Sequence, residues 1–174
     1  MNTKSEVFSW IKTIVVAVII AVLIRTFLFT NYIVEGESML PNMNDNDRLI
    51  VNKIVYKMYE PERFDIVVFH VDNRIDYIKR IIGLPGEEIA YRNNTLYVNG
   101  EPVEEPFAVH SQTKNFTLKE MIGQNTVPEG SVFVLGDNRM NSTDSRMIGA
   151  IPIDQIVGEV NVKYWPLTDL SFYH

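Results

Sequence analysis

The strongest constraint on this chain is an uninterrupted apolar run near its start. Residues Ile14 to Ile24 are all apolar, and the largely apolar stretch from Val7 to Phe29 covers 23 residues. At ~1.5 Å per residue, such a helix can cross a hydrocarbon layer of ~30 Å. A buried helix of a soluble domain would show a polar face, and a cleaved signal would end in small residues, but neither pattern is present. We therefore expect residues 1–30 to be a cytoplasmic leader with one N-terminal transmembrane helix.

The charges around this run predict how the chain is oriented. Lys4 and Lys12 favour a cytoplasmic N-terminus, although Arg25 at the other end weakens this signal. Residues 1–30 carry a net charge of +2 and the whole chain −6, which leaves −8 for residues 31–174. Such an acidic domain lacks the basic face that binds nucleic acid. We expect residues 31–174 to be an extracytoplasmic domain at the plasma membrane, with the lipid bilayer as a partner.

The chain contains no cysteine, which excludes disulfides, thiol nucleophiles and thiolate metal sites. Its three histidines, His70, His110 and His174, are far apart in the sequence and show no metal-ligand spacing. We expect neither a metal ion nor an organic cofactor, and interpret the histidines as scattered surface or packing residues.

Short β-rich runs separated by turns make up the rest of the chain. Asn93-Asn94 and Asn99-Gly100 are turn signals between them. Residues 106–129 are more polar, with a weak helical pattern at Leu118 to Ile122, and we interpret them as an excursion from the sheet. The expected fold is an all-β domain of short antiparallel strands, in a partly closed barrel or folded sheet. The predicted strands are Arg48–Tyr56, Phe64–His70, Ile75–Ile82, Glu88–Tyr91, Thr95–Val98, Ser131–Leu135 and Ile156–Tyr164, the last with a bulge at Gly158.

A serine lies on a constrained turn soon after the apolar run. Gly36 and Pro41 bracket Ser38 in the stretch VEGESMLP, so the backbone there is neither a regular helix nor a regular strand. Most turn serines only bond to nearby backbone. A nucleophilic serine needs a base, because its hydroxyl is too weak an acid to ionise unaided. Ser38 is therefore a candidate nucleophile only if a base lies beside it.

Lys79 is the candidate base. In a strand over Ile75–Ile82, its side chain would share a face with Tyr77 and Ile81 and would lose water. Desolvation lowers the pKa of an ammonium from about 10.4, and a neutral lysine can accept a proton. Taken alone, this pattern fits an edge lysine that reaches solvent better, because buried lysines are rare. Ser38 is 41 positions away, so the residues alone do not predict their contact.

A dense polar stretch, GDNRMNSTDSRMIGAI, occupies residues 136–151. It has no apolar periodicity, and such a composition is common in surface loops with Asx turns. The alternative is a polar network that supports a nearby site. In that case the Ser142 hydroxyl could hold a neutral lysine amine, and an Asp144–Arg146 pair could fix the loop.

Three motifs, GESMLP, YIKRIIGLPGE and GDNRMNSTDSRMIG, follow the apolar run in this order. Together they resemble the type I signal peptidases, also called leader peptidases, in the compact form typical of Gram-positive bacteria. The resemblance covers nearly the whole chain and implies that Ser38 is the nucleophile and Lys79 its general base. It also implies that Ser142 orients the lysine and that Asp144 with Arg146 supports the loop. The implied fold is an all-β peptidase unit shared with self-cleaving repressor proteins.

The chain departs from the commonest pattern of that family at four positions. Gly36 stands where some members carry a serine whose hydroxyl helps to form the oxyanion hole. The resemblance therefore implies an oxyanion hole made mainly by the backbone N–H of Ser38, in the region of Gly36. Asn42 replaces a frequent threonine, Met140 a polar residue and Ile148 an aromatic one.

The function implied by this resemblance is the removal of N-terminal signal peptides from secretory preproteins by a Ser/Lys dyad. Cleavage would follow small residues in an Ala-x-Ala-like pattern, with the substrate bound as an added strand. Three alternatives stay open: a Ser/His/Asp hydrolase that uses His70 or His110, a self-cleaving repressor-like Ser/Lys peptidase, and a non-catalytic membrane-tethered β module. The sequence predicts nothing about the oligomeric state.

Overall fold

Runs of β-branched and aromatic residues form most of the structure, as their strand propensity predicts. The computed structural model describes residues 3–72 and 75–173, without the side chains of residues 3–7 and 24–25. Interpretations that involve the side chains of Lys4 and Arg25, and the one for His174, lie outside the described residues.

The described part of the chain contains four α-helices and twelve strands, most of them short. The helices α1 to α4 span Thr3–Phe27, Val55–Met58, Leu118–Ile122 and Ser145–Ile148. The strands β1 to β6 span Phe29–Ile33, Arg48–Asn52, Ile66–His70, Asp76–Gly83, Ile89–Arg92 and Thr95–Val98. The strands β7 to β12 span Glu101–Val103, Phe116–Thr117, Ser131–Leu135, Ile151–Pro152, Ile156–Trp165 and Ser171–Phe172.

Eight strands form one antiparallel sheet, which contains Lys79 in β4, while Ser38 lies on a turn between β1 and β2. Its order is β1-β2-β11-β3-β4-β9-β10, and β12 also pairs with β11. The long strand β11 lies between β2 and β3, and its pairing with β3 shifts register before Gly158, where a bulge was predicted. β4 pairs with β3 along its first half, which places Val67 opposite Lys79. This arrangement confirms the mainly antiparallel β class.

The other four strands form a smaller antiparallel sheet in the order β7-β6-β5-β8. β5 and β6 make the predicted hairpin, with Asn93 and Asn94 at positive φ in its turn. Asparagine tolerates this left-handed backbone better than most residues, which explains why the turn signal was readable from the sequence.

Residues 106–129 differ from their interpretation as an excursion from the sheet. Phe116 in β8 pairs with Tyr91 in β5, so the segment supplies the edge strand of the smaller sheet. The helix α3 follows, with a capping box at Thr117, and its buried Leu118 packs in the same cluster as Phe116. These two apolar side chains hold the segment against the sheet.

Strand boundaries follow the prediction where the signal is local. Ser131–Leu135 is confirmed residue for residue. The predicted strand Arg48–Tyr56 is too long, because Asn52 Oδ1 accepts the N–H of Ile54 at 3.2 Å and turns the chain into α2.

The helix α1 covers the apolar run, and only Leu28 separates it from β1. In the ranges that the structure describes, no helix has both the length and the hydropathy of a membrane span. The membrane crossing expected from the sequence stays a prediction.

Three clusters of buried side chains form the core. The first joins the two sheets and contains Tyr91 and Phe133. The other two lie on opposite faces of the larger sheet, because Val67 and Val68 alternate along β3 and enter different clusters. The cluster that contains Val68 also contains Met39, so part of the core lies directly beneath the Ser38 turn.

Gly158 provides a test of how closely β11 approaches β2. A Cβ added there would overlap the carbonyl oxygen of Asn52 and lie 2.9 Å from Val51 Cγ1. We expect Gly158→Ala to lower the free energy of unfolding by about 2 kcal/mol through overpacking, measured by denaturant titration of the full chain in detergent. Gly100→Ala, at a positive φ with open space around its Cβ, should cost only about 1 kcal/mol. A smaller loss at Gly158 than at Gly100 would contradict the close approach.

Candidate active site

A groove of about 1010 Å³ lies between β1 and β4. One wall is the end of β1 with the chain that follows it, and the opposite wall is the first half of β4. The groove therefore brings Ser38, Lys79 and Ser142 together from three distant parts of the sequence. Its lining consists of residues 32–39, 45, 76–79 and 140–143.

Ser38 lies on a tight turn that apolar side chains anchor to the core. Met39 within the turn and Met43 directly after it are buried, and the N–H of Met43 donates to the carbonyl oxygen of Met39 at 3.0 Å. Gly36, just before the turn, has a φ of +86°, in the left-handed region that favours glycine. The turn is thus fixed from below while Ser38 faces the groove.

Lys79 Nζ lies 2.8 Å from Ser38 Oγ, which is hydrogen-bond distance. Nζ also donates to the carbonyl oxygen of Ile78 at 2.8 Å and lies 5.0 Å from the centre of the Tyr77 ring. Only 4 % of Lys79 is exposed. The strand β4 thus delivers a nearly buried amine to the serine hydroxyl.

Burial lowers the pKa of Lys79 from 10.5 to about 8, because the ammonium form loses its solvation. The negative charges of Asp144 and Asp137 act in the opposite direction, since they favour the ammonium, but desolvation is the larger effect. Near pH 8 a large fraction of the amine is therefore neutral. The neutral form can accept the Ser38 proton across the 2.8 Å contact.

The loop after β9 holds the backbone of the Ser38 turn. The Asn138 N–H donates to the Ser38 carbonyl oxygen at 3.0 Å, and the Asn138 side chain donates to the Glu37 carbonyl oxygen at 3.1 Å. Gly136 permits this approach, because a Cβ there would lie 2.5 Å from the Ser38 carbonyl oxygen and would also collide with Ser142 Oγ. The polar stretch is therefore part of the groove and not a separate surface loop.

Asp144 and Arg146 form the ion pair considered from the sequence. Arg146 donates from Nε and Nη2 to the two oxygens of the buried Asp144, at 2.8 and 2.7 Å. Asp144 also accepts the Gly136 N–H at 3.1 Å, and Arg146 donates to the Arg139 carbonyl oxygen at 2.7 Å. These contacts close the loop on itself and fix Gly136 beside the serine turn.

Ser142 lies in the groove, but the expected hydrogen bond to Lys79 is not formed. Its Oγ is buried and finds no hydrogen-bond partner within residues 3–72 and 75–173. Buried polar atoms without a partner are rare, and they are often found at functional sites.

The backbone N–H groups near Ser38 determine where an oxyanion can bind. Within the described chain, the Ser38 N–H has no hydrogen-bond acceptor, so it is available to a ligand in the groove. The Gly36 N–H is occupied, because it donates to Asp45 Oδ1 at 2.8 Å. Of these two amides, only that of Ser38 is open to an acceptor, and the oxyanion hole expected from the sequence stays a prediction.

Sequence reasoning missed a buried ion pair next to Lys79. Arg80 donates from Nε and Nη2 to the two carboxylate oxygens of Asp137, at 2.9 and 2.7 Å. Asn42, one of the unusual positions, donates to the same carboxylate at 2.7 Å and so ties it to the Ser38 turn. A signal was available, because a strand that buries Lys79 on one face directs Arg80 to the other, where a buried cation needs an acidic partner.

A second missed network attaches the loop to the smaller sheet. Arg139 is fully buried, pairs with Glu105, and donates to the Tyr91 hydroxyl at 2.9 Å and to Thr113 Oγ1 at 2.6 Å. Glu105 and Tyr91 are 34 and 48 positions away from Arg139. No local pattern in the sequence predicts these contacts.

Neither described histidine lines the groove. His70 Nδ1 is 2.5 Å from Asp76 Oδ1, and the backbone N–H of His110 donates to the Asp137 carbonyl oxygen at 3.1 Å. This placement gives no support to a histidine base at Ser38. Among the residues described, no three His, Asp or Glu side chains are grouped to hold a metal ion.

The other two unusual positions are exposed. Met140 lines the groove and is 58 % exposed, and Ile148 ends the helix α4 with 37 % of its surface exposed. Met140 can therefore affect the shape of the groove, whereas Ile148 does not line it.

Known proteins share this sequence over most of its length. The model of the family "Signal peptidase, peptidase S26" matches residues 7–165. Signal peptidase I of Bacillus caldolyticus is 48 % identical over 165 residues, which cover 90 % of this chain and 91 % of the relative. Signal peptidase IB of Staphylococcus aureus (strain MRSA252) is 41 % identical over an aligned length of 181 residues, gaps included, and the alignment covers 97 % of this chain and 95 % of the relative.

A solved structure agrees with these relatives. The crystal structure of a signal peptidase I from Enterococcus faecalis V583 matches with a TM-score of 0.52 at 41 % identity, and it covers 58 % of this chain and 97 % of that one. The family suggested by the three ordered motifs is thereby confirmed. The chain belongs to the signal peptidase family, peptidase S26.

Proposed function

We propose that this chain is a membrane-anchored serine endopeptidase that removes N-terminal signal peptides from secretory preproteins with Ser38 and Lys79. The observation that carries the proposal is the 2.8 Å contact between Ser38 Oγ and the nearly buried Lys79 Nζ in an open groove. Membership of a peptidase family, and relatives named signal peptidase at 48 and 41 % identity, support it. A non-catalytic β module would have no need of a desolvated lysine.

The reaction begins with neutral Lys79. Its lone pair accepts the Ser38 hydroxyl proton while Oγ attacks the scissile carbonyl carbon, which gives a lysine ammonium and a tetrahedral oxyanion. The C–N bond then breaks, and the ammonium gives its proton to the leaving amine. Water attacks the resulting ester with the same help: Lys79 takes a water proton and returns it to Ser38 Oγ as the acid product leaves.

The site also supplies charge stabilisation and positioning. The free Ser38 N–H can donate to the oxyanion, a contribution of about 3 kcal/mol per donor in other hydrolases. The Asn138 side chain holds the Glu37 carbonyl oxygen at 3.1 Å, and because the Glu37–Ser38 peptide is planar, this contact also fixes the direction of the Ser38 N–H. We assign the Ser142 hydroxyl, which has no hydrogen-bond partner among the described residues, to Lys79 in the same groove, where it would hold the amine during the reaction.

The walls of the groove suit an extended peptide. β9 pairs with β4 only from Arg80 onward, so residues 76–79 have one open edge, and β1 pairs only with β2 among the described strands. A substrate strand can hydrogen-bond between these two edges. The buried Met39 and half-buried Ile78 line the groove beside the dyad and leave room for small side chains, in keeping with an Ala-x-Ala-like pattern.

The apolar N-terminal run supports the membrane anchor in this proposal. Residues 1–30 would hold the N-terminus in the cytoplasm, with residues 31–174 outside the plasma membrane. Only ten residues lie between the end of α1 at Phe27 and Ser38. A short connection of this kind would keep the nucleophile close to the surface from which a precursor emerges.

Replacing either member of the dyad should abolish cleavage. Ser38→Ala removes the nucleophile, and Lys79→Met removes the base while keeping an unbranched side chain. We expect kcat/KM to fall by about 10,000-fold in each variant. The measurement is cleavage of a purified preprotein by the full chain in detergent, with thermal unfolding as a check that each variant is folded.

His110→Ala is the matched control and should retain activity within about twofold, because only its backbone contacts the loop. Ser142→Ala should give an intermediate loss of about tenfold, mainly in kcat, as expected for one lost hydrogen bond. Activity that survives in Lys79→Met but disappears in His110→Ala would reverse the assignment of the base.

Cleavage should depend on pH through Lys79. Only the neutral amine accepts a proton, so kcat/KM should rise with pH, show an apparent pKa of about 8, and level off above it. The measurement is the kcat/KM of a soluble peptide substrate at successive pH values. A profile centred on the ordinary lysine pKa of 10.5 would contradict the desolvation of Lys79.

The proposed orientation predicts which part of the chain is accessible from outside the cell. Protease added to intact protoplasts should digest residues 31–174 and leave a tag at the N-terminus intact. Both parts should be digested after detergent is added. A tag that is lost from intact protoplasts, or a domain that survives there, would rule out this orientation.

A further inference from the structure

A hydrogen bond crosses the groove at a distance from the dyad. The Tyr32 hydroxyl donates to Asp76 Oδ2 at 2.6 Å. Tyr32 belongs to β1 and Asp76 to β4, and these strands do not pair with each other. This side-chain contact therefore joins the two walls directly.

A third residue holds the other oxygen of the same carboxylate. His70 Nδ1 lies 2.5 Å from Asp76 Oδ1, and His70 lies opposite Asp76 in the pairing of β3 with β4. Two partners on two oxygens fix the rotamer of Asp76. Burial and the adjacent Asp76 charge raise the pKa of the Tyr32 phenol, so this hydroxyl stays a donor.

The contact lies within reach of a bound substrate. Tyr32 and Asp76 line the same groove as Ser38 and Lys79. Asp76 precedes Lys79 by three residues along β4, a separation of ~10 Å at ~3.3 Å per residue. A peptide strand with its scissile carbonyl at Ser38 would meet the contact at about the third or fourth residue upstream of the cleaved bond.

The two edges that this contact spans are both open. Residues 76–79 of β4 lack a partner on the side away from β3, and β1 is the outer strand of its sheet, among the strands described. Open edges have no backbone hydrogen bonds to keep them a fixed distance apart. The Tyr32–Asp76 bond supplies such a constraint at one end, and the Ser38–Lys79 contact supplies one at the other.

We propose that Tyr32, Asp76 and His70 form a clamp that sets the separation of the two open edges and thereby positions the upstream part of the signal peptide. The clamp deepens the proposed function and rests on it. Its residues are positioning residues, since they hold the channel and take no part in proton transfer. A substrate too small to extend between the edges is not affected by the clamp.

The clamp is tested on the full chain in detergent with two substrates, of which only one extends along the groove as far as Tyr32 and Asp76. The first is a peptide with six residues upstream of the cleaved bond, and the second is an activated acetate ester that acylates Ser38 without filling the groove. In Tyr32→Phe, which removes only the hydroxyl, we expect kcat/KM for the peptide to fall about tenfold, mainly through KM. Acylation by the ester should stay within about twofold of the unmodified chain.

Asp76→Asn should weaken the same step, because a neutral amide is a poorer acceptor for two partners. The double variant Tyr32→Phe, Asp76→Asn should lose no more than the larger single effect, since both changes break one contact. Tyr56→Phe is the matched control: its hydroxyl donates to Asp65 at 2.7 Å in a similar half-buried pair that does not line the groove. This variant should leave KM for the peptide unchanged.

The outcomes separate the clamp from the proposed function. Equal losses with the peptide and the ester, an unchanged KM for the peptide, or the same KM shift in Tyr56→Phe would each overturn the clamp. Ester acylation that persists in Ser38→Ala would instead overturn the assignment of the nucleophile.

Discussion

The nearly buried amine of Lys79 beside Ser38 is the contact on which the rest of the structure depends. Removing an ammonium from water is unfavourable, and the fold tolerates it because this group can lose its proton. Since the folded pKa of about 8 lies below the ordinary 10.5, this burial costs most stability below pH 8, and the cost disappears above pH 10.5. The chain accepts a local destabilisation near neutral pH, and in return it gains a proton acceptor that solvent would otherwise keep charged.

Two fully satisfied ionic networks hold that contact in place. The Asp137 carboxylate accepts hydrogen bonds from Arg80, the neighbour of Lys79 on β4, and from Asn42 in the Ser38 turn. One carboxylate therefore holds both the strand of the base and the turn of the nucleophile in place. Arg139 pairs with Glu105 and ties the same loop to the smaller sheet through the Tyr91 hydroxyl in β5. Buried ion pairs often add little net stability compared with apolar packing. Their value here is geometric, because removing one member would leave an unpaired charge beside the site.

Local patterns were sufficient for much of the fold but not for the geometry of the site. Alternating β-branched residues gave Ser131–Leu135, and an Asn-Asn turn gave the hairpin of β5 and β6. The strand β8 has two residues, too few for any periodic signal, so the sequence of residues 106–129 does not predict its pairing with β5. The motifs predict Ser38 and Lys79 as site residues but not their contact. That contact depends on the positions of β1 and β4, which are set by the pairing of the strands β2, β11 and β3 between them. The pairing joins distant parts of the sequence, so no local pattern predicts it.

Lys79 and Arg80 are neighbours on β4, but Lys79 faces the groove and Arg80 faces Asp137. The register of β4 with β3 determines which side chain enters which environment. A slip of one residue would exchange the two faces. The guanidinium, which does not deprotonate in proteins, would then enter the groove, and the amine would face Asp137 and stay charged. A misregistered molecule could neither activate the serine nor complete the network behind it. The same register that completes the buried ion pair behind the strand is therefore also required for hydrolysis, so a molecule with β4 out of register would be inactive.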